Sequence, residues 1–208
     1  MWFPILIAVL TSYLLGNLNG SVCISALMQD DVRKHGSGNA GLTNFFRSYG
    51  TAGTALVILT DMGKTALGCV SAGLILRPYG LWLEGLMLGA VAVSLGHDFP
   101  VLLGFRGGKG ILCGFTVALV VDWRVALIIL AVFVIAFAIT RYVSLGSVLA
   151  AAAFGVGFGV LHYDNLYIMI GGIFLSLLAL WMHRSNILRL IRGKETKTHL
   201  IHRDLNKQ

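Results

Sequence analysis

Lys109 stands among four glycines in the stretch Gly104-Phe105-Arg106-Gly107-Gly108-Lys109-Gly110, a few residues after Gly96-His97-Asp98-Phe99-Pro100. Glycine lets several backbone N–H groups approach an anion without Cβ clashes, and a lysine beside them adds fixed positive charge. A second stretch, Gly36-Ser37-Gly38-Asn39-Ala40-Gly41-Leu42-Thr43-Asn44-Phe45-Phe46-Arg47, offers hydroxyls and amides without bulk. Thr43-Asn44 can start a helix that carries Arg47 one turn on, and a loop rich in N–H groups leading into a helix is a general anion site. The same residues also suit a plain turn with an N-cap. A third group joins Arg141-Tyr142-Val143-Ser144, with Ser147 a turn later, to His183-Arg184-Ser185-Asn186. Ser144 and Ser147 share a helix face, as do His183 and Asn186. Phosphate-holding groups set between apolar helices point to chemistry on a molecule that is partly lipid and partly phosphorylated.

The lysine loop is not a Walker A motif, because Leu103 stands where its first glycine should be and Gly110 replaces the Ser or Thr after the lysine. A nucleotide triphosphatase is therefore disfavoured. Each polar residue also has a plainer reading. His97 can be a satisfied interfacial histidine, Asp98 and Pro100 shape a turn, and membrane serines often bond their own backbone. Asp61 and Lys64 lie inside an apolar run, where an ionised pair is costly; they are a functional pair or a structural one. Glu84 and Asp122 are expected to be solvated. His199 and Asp204 match the His-x4-Asp spacing of common glycerolipid acyltransferases, but they fall in a charged tail with no surrounding core. Cys23, Cys69 and Cys113 are odd in number, lack metal-ligand spacing and read as packing residues. No cofactor and no metal are expected.

The elements that must hold these residues are hydrophobic helices. The 208-residue chain is 57% hydrophobic and 12% charged, with a mean hydropathy of +0.82. No stretch is polar and long enough for a separate water-soluble domain, so residues 1–195 read as one membrane-embedded unit and 196–208 as a basic polar tail. The N-terminus lacks a basic n-region and a small-residue cleavage site, so the first segment reads as a retained span. The net charge of +7 sits in short loops and the tail, which favours anionic lipid and phosphorylated substrates over nucleic acid.

Apolar segments fall at about 3–27, 52–76, 81–97, 110–121, 124–140, 144–161 and 166–182. A span needs roughly 20 residues, so 110–121 is short. Either the bilayer thins there or the Gly-rich loop before it dips below the headgroups, which is tolerated only where the loop lines a polar cavity. The expected fold is an all-α integral membrane protein of about seven transmembrane helices. Loops 28–51, 98–110 and 141–143 and the tail from His183 then share one side and hold most of the basic residues, with only Arg77 and Arg124 opposite. The positive-inside rule makes that side cytoplasmic and places the N-terminus outside. The tail from Arg184 is expected to begin as a short interfacial helix.

The three clusters, in this order, resemble the bacterial acyl-phosphate-dependent glycerol-3-phosphate acyltransferase family, the PlsY-type enzymes. The residues carrying the resemblance are Gly36-Ser37-Gly38-Asn39, Thr43-Asn44 and Arg47; then Gly96-His97, Phe99-Pro100 and Gly107-Gly108-Lys109-Gly110. It continues through Arg141-Tyr142-Val143-Ser144 to His183-Arg184, Asn186-Ile187, Arg189-Leu190, Gly193 and Glu195. Leu42 and the Phe45-Phe46 pair are bulkier than the family pattern. Thr65 follows Lys64 where glycine is frequent, which weakens a site role for Lys64. The resemblance implies a seven-helix inner-membrane protein with its active site facing the cytoplasm. It implies transfer of a fatty acyl group from acyl phosphate to the 1-hydroxyl of glycerol 3-phosphate, giving lysophosphatidic acid and phosphate.

On that basis Ser37, Asn39, Arg47, Lys109, His183 and Asn186 are the expected catalytic residues. Gly38, Thr43, Asn44, His97, Gly107, Gly108, Gly110, Arg141 and Ser144 are expected to bind substrate. The lysine loop is assigned to the phosphate of glycerol 3-phosphate, and the Ser37–Asn44 loop with Arg47 to acyl phosphate. His183 and Asn186 orient the acceptor or help its proton leave, although a substrate phosphate oxygen can take that proton equally well. Covalent catalysis through Ser37 or Ser144 has no sequence-adjacent activating base, so direct transfer is favoured. Expected partners are the two substrates, membrane lipid and the enzyme that makes acyl phosphate, with the chain as a monomer. The rival reading is a small carrier of organic phosphate or phosphorylated lipid, which intramembrane cations would suit, although halves 1–97 and 98–208 show no repeat.

Overall fold

The computed structural model describes residues 1–197, so the His199 and Asp204 pair lies outside the described residues. Ten α-helices and no strands are present among them: α1 Trp2–Gly16, α2 Gly20–Leu27, α3 Leu42–Tyr49, α4 Thr54–Leu76, α5 Trp82–Asp98, α6 Ile111–Val121, α7 Trp123–Thr140, α8 Val143–Leu161, α9 Leu166–Met182 and α10 Arg184–Ile191. Four of these, α4, α5, α7 and α8, are long and apolar enough to cross a bilayer alone. The pairs α1–α2 and α9–α10, bent by 43° and 57°, raise the number to six if each pair is one span. The fold is thus an all-helical membrane bundle, with α6, at 11 residues, as short as its sequence implies.

The apolar run 3–27, expected as one span, is broken at Asn17-Leu18-Asn19. Asn19 accepts the Val22 N–H and so caps α2, while Asn17 donates to Tyr13 O. Two asparagines that compete with the backbone explain the break. At the other bend His183 ends α9 and precedes α10, so the short helix expected after residue 183 is present.

Helices α1, α4 and α5 pack against one another, α8 lies between α7 and α9, and α6 joins the two groups. Small residues permit the close approach within the first group. A Cβ on Gly16 would strike the backbone of Val93 and Gly96, and one on Gly89 would strike Gly68 and Cys69. Without a hydrophobic force between helices in lipid, such backbone-to-backbone contact supplies dispersion energy. The main core gathers Leu86, Met87, Val93, Val117, Ile129, Phe154 and Phe158. A smaller core of Val32, Phe45 and Val57 fastens the 28–51 loop to α4. Cys69 and Cys113 are buried as packing residues, but Cys23 is exposed on α2 and does not pack inside the bundle.

Candidate active site

Each anion-loop candidate is held by a different device. In the first loop, Asn44 lies in the first turn of α3 with its side chain buried among the turns before it. Its Oδ1 accepts the Ser37 N–H at 2.9 Å, and its Nδ2 meets the carbonyls of Val32, His35 and Asn39. Gly36 and Gly38 both have positive φ, +53° and +70°, which only glycine adopts without strain. Asn44 therefore shapes the loop, and the helix cap expected at Thr43-Asn44 is instead Gly41, which makes no side-chain cap. Phe45, bulkier than the family pattern, is fully buried and anchors α3 against Val32 and, on α4, Val57.

The lysine loop folds back on the end of α5. Gly107 N–H donates to Asp98 O and Gly108 N–H to His97 O. A Cβ on Gly108 would overlap the His97 imidazole, and one on Gly107 would overlap His97 O. These two glycines, expected to cradle phosphate, are required by this close packing, and their N–H groups are engaged within the loop. Gly110, at φ +69°, turns the chain into α6 beside the Asp98 carboxylate. Lys109 then projects toward α10, where its Nζ donates to Asn186 Oδ1 at 2.5 Å. Burial holds its ammonium below the ordinary lysine value, and Arg189 pushes the same way.

A cavity of about 410 Å³ connects these elements. At its polar end stand Ser37, Asn39, Thr43, Asn44, Arg47, Lys109, Gly110, Ser144, His183 and Asn186, with His97 and Asp98 behind. Its other walls are apolar: Phe115, Ile129, Leu130, Phe133, Ala150, Phe154 and Leu175 from α6 to α9. Eleven of the fifteen expected site residues thus share one space. Gly38, Gly107, Gly108 and Arg141 do not line it. Arg141 ends α7 with φ +64° and is exposed, so its reading as a substrate ligand lacks contact with the cavity.

Two lining residues quoted in the resemblance, but not assigned a role, are Arg189 and Glu195. Glu195 accepts from Arg189 Nε at 2.8 Å and, more weakly, from Asn186 Nδ2 at 3.4 Å. The carboxylate thereby orients the amide that faces Lys109. Their signal was spacing: Asn186 and Arg189 lie three apart on α10. Arg47 Nη2 reaches Thr196 O at 3.4 Å, and Lys197 lies over the Tyr142 ring, so the first residues of the 196–208 tail border the site.

His183 Nδ1 lies 2.8 Å from Ala179 O, a carbonyl that can only accept. The assigned tautomer therefore carries its proton on Nδ1 and leaves the Nε2 lone pair to accept one. The buried Ser144 hydroxyl has no protein partner among the described residues, so a ligand in the cavity is available to it. Ser147 instead donates to Val143 O. Among the described residues no three His, Cys, Asp or Glu side chains converge as metal ligands.

Fold and cavity define a class: a helical membrane protein with a cation-rich polar pocket continuous with an apolar groove. The glycerol-3-phosphate acyltransferase family model matches residues 6–193. A glycerol-3-phosphate acyltransferase of Finegoldia magna is 41% identical over 89% of this chain and 91% of its own length. One from Clostridioides difficile is 36% identical over 94% and 96%. The crystal structure of PlsY, an integral membrane glycerol 3-phosphate acyltransferase, in its glycerol 3-phosphate form, superposes with a TM-score of 0.85 at 33% identity. That match covers 94% of this chain and 96% of the other. Its lysophosphatidic acid form gives 0.81 at 32% identity. The chain belongs to the glycerol-3-phosphate acyltransferase family.

Proposed function

We propose that this protein transfers a fatty acyl group from acyl phosphate to the 1-hydroxyl of glycerol 3-phosphate, releasing lysophosphatidic acid and inorganic phosphate. The observation carrying the reading is the single cavity in which Arg47, Lys109, His183 and Asn186 open onto an apolar groove. Glycerol 3-phosphate and lysophosphatidic acid are the ligands named for the two similar PlsY structures.

In this reading the acceptor's 1-hydroxyl oxygen attacks the acyl carbonyl carbon. The carbon–oxygen bond to phosphate then breaks, and phosphate leaves with the bonding pair. Acyl phosphate is already activated, so the protein mainly aligns the hydroxyl with the carbonyl and offsets charge. Two anionic substrates repel one another unless cations intervene, a role suited to Lys109 for glycerol 3-phosphate and Arg47 for acyl phosphate. The hydroxyl proton passes to a substrate phosphate oxygen or to His183 Nε2. Apolar walls keep water from the mixed anhydride. Ser37 and Ser144 serve as hydrogen-bonding groups rather than nucleophiles, since neither has an imidazole hydrogen-bonded to its hydroxyl among the described residues.

In the membrane we place about seven crossings, counting α6 as one through a locally thinned bilayer. The N-terminus is then outside and the active site faces the cytoplasm, following the basic loops. The test is detergent-purified protein with acyl phosphate and labelled glycerol 3-phosphate. Labelled lysophosphatidic acid is the expected product. Transport of label by reconstituted vesicles without turnover would favour a carrier instead.

A further inference from the structure

At the inner wall of the cavity, which Asp61 lines, α4 carries a buried ion pair to which the proposed reaction assigns no role. Asp61 and Lys64 are 2% and 4% exposed, and Lys64 Nζ lies 2.9 Å from Asp61 Oδ1. The ammonium also reaches Gly16 O, Leu18 O and, at 2.8 Å, His97 Nδ1. Lysine donates only, so His97 Nδ1 accepts and the imidazole proton sits on Nε2. That edge of the ring is the one packed on Gly108 in the lysine loop. Asp61 Oδ1 meanwhile accepts the Gly20 N–H at the start of α2.

The partners of this pair lie where α1 breaks from α2, and the same break holds both anion loops. Asn19 Nδ2 donates to Ala40 O in the first loop at 2.9 Å. Asn17 Oδ1 accepts the Leu102 N–H, and the Tyr13 hydroxyl donates to Phe99 O, both at the root of the second. A helix break in lipid leaves carbonyls unsatisfied, and Lys64 satisfies two of them. One side chain thus touches the break and, through His97, the lysine loop.

We propose that Lys64, Asp61 and His97 are positioning residues that lock the lysine loop to the α1–α2 break and so set its spacing from the Ser37–Asn44 loop. The proposal rests on the acyltransfer reading, because the spacing matters only if each loop holds a substrate phosphate. Misplacement by an ångström of a group that orients a reactant costs on the order of 10²-fold in rate.

The double variant Asp61→Asn/Lys64→Met removes both charges at similar volume, which buried pairs tolerate better than loss of one partner. Wild-type turnover is measured first; its absence would sink the acyltransfer reading and leave the positions of these residues untouched. Given turnover, the folded double variant should show at least a tenfold rise in KM for glycerol 3-phosphate, with inhibition by inorganic phosphate weakened in parallel. The control is Ser12→Ala, which removes a buried bond from Ser12 Oγ to Gly68 O between α1 and α4, away from both loops. It should lower the melting temperature with KM unchanged. Unchanged KM in the double variant would overturn the proposal. Should that variant fail to fold, His97→Asn and His97→Leu decide, since both lose the ring against Gly108 and only Asn keeps an acceptor for Lys64. A KM at least about fivefold lower for Asn than for Leu supports positioning through Lys64, and equal values refute it.

Discussion

At the far end of α6, Asp122 accepts from Arg124 at 2.6 Å and from His162 at 2.9 Å, and Asn165 donates to Glu84 nearby. There the Asp122 carboxylate is answered by the Arg124 guanidinium and Glu84 by a side-chain amide, both within the protein. Asp122, expected to be solvated, is buried and ties α7 to α8, while the half-buried Glu84 ties α5 to α9. At the near end of α6, Lys109 meets only the neutral Asn186 and forms no ion pair among the described residues. Arg47 and Arg189 share its cavity, with Glu195 committed to Arg189. A closed cluster stabilises helices. A cluster rich in cation and open to a cavity suits the phosphate binding proposed for it.

Substitutions at the two ends should therefore separate activity from stability. Lys109→Met should have the largest effect, lowering kcat/KM by about 10²-fold or more through a raised KM for glycerol 3-phosphate. Arg47→Lys retains charge but loses the planar fork, so a loss of about tenfold, mainly in KM for acyl phosphate, is expected from initial-rate kinetics. For the wild type, kcat/KM should fall on the alkaline side at a pH below the ordinary lysine value. Burial lowers the Lys109 pKa, and the neutral amine loses its hold on phosphate. A profile flat through that range would remove Lys109 from anion binding.

The smallest effect on activity belongs to the far end. Asp122→Asn should leave kcat/KM within about twofold while lowering the melting temperature by a few degrees. The hydrogen bond from Arg124 is the first cause that depresses the Asp122 pKa to about 2 in the folded protein, from 3.8. A depressed carboxylate pKa contributes stability above the unfolded value and loses it as pH falls through the folded one. Thermal unfolding measured between pH 4 and pH 2 should therefore show wild type and Asp122→Asn converging in acid. Divergence there would break the contrast between the two ends.

Much of the candidate site was legible because polar and glycine-rich stretches are residue types that lipid disfavours. Glycines around Lys109, amides after Ser37 and His183 with Asn186 all stood out from apolar surroundings. Their convergence on one cavity followed from placing their loops on one side. The roles within each loop were not legible. Asn44 and His97 are polar residues beside anion loops, and sequence cannot show whether such groups face a ligand or the loop's own backbone. The bend at Asn17–Asn19 escaped notice because the run 3–27 is apolar on average, and two short side chains are enough to break it. Asp122 is buried rather than solvated because a partner 40 residues away in the chain is invisible to local reading.

In the proposed reaction one cavity holds both phosphates and the acyl chain. A non-transferable acyl phosphonate bearing a photoreactive diazirine near the end of its chain probes this arrangement. Illumination of the purified protein should label residues of α6–α9 around Phe115, Phe133 and Phe154, and excess unlabelled acyl phosphate should suppress the labelling. Label confined to the outer surfaces of α1 and α4, or indifferent to competitor, would contradict it.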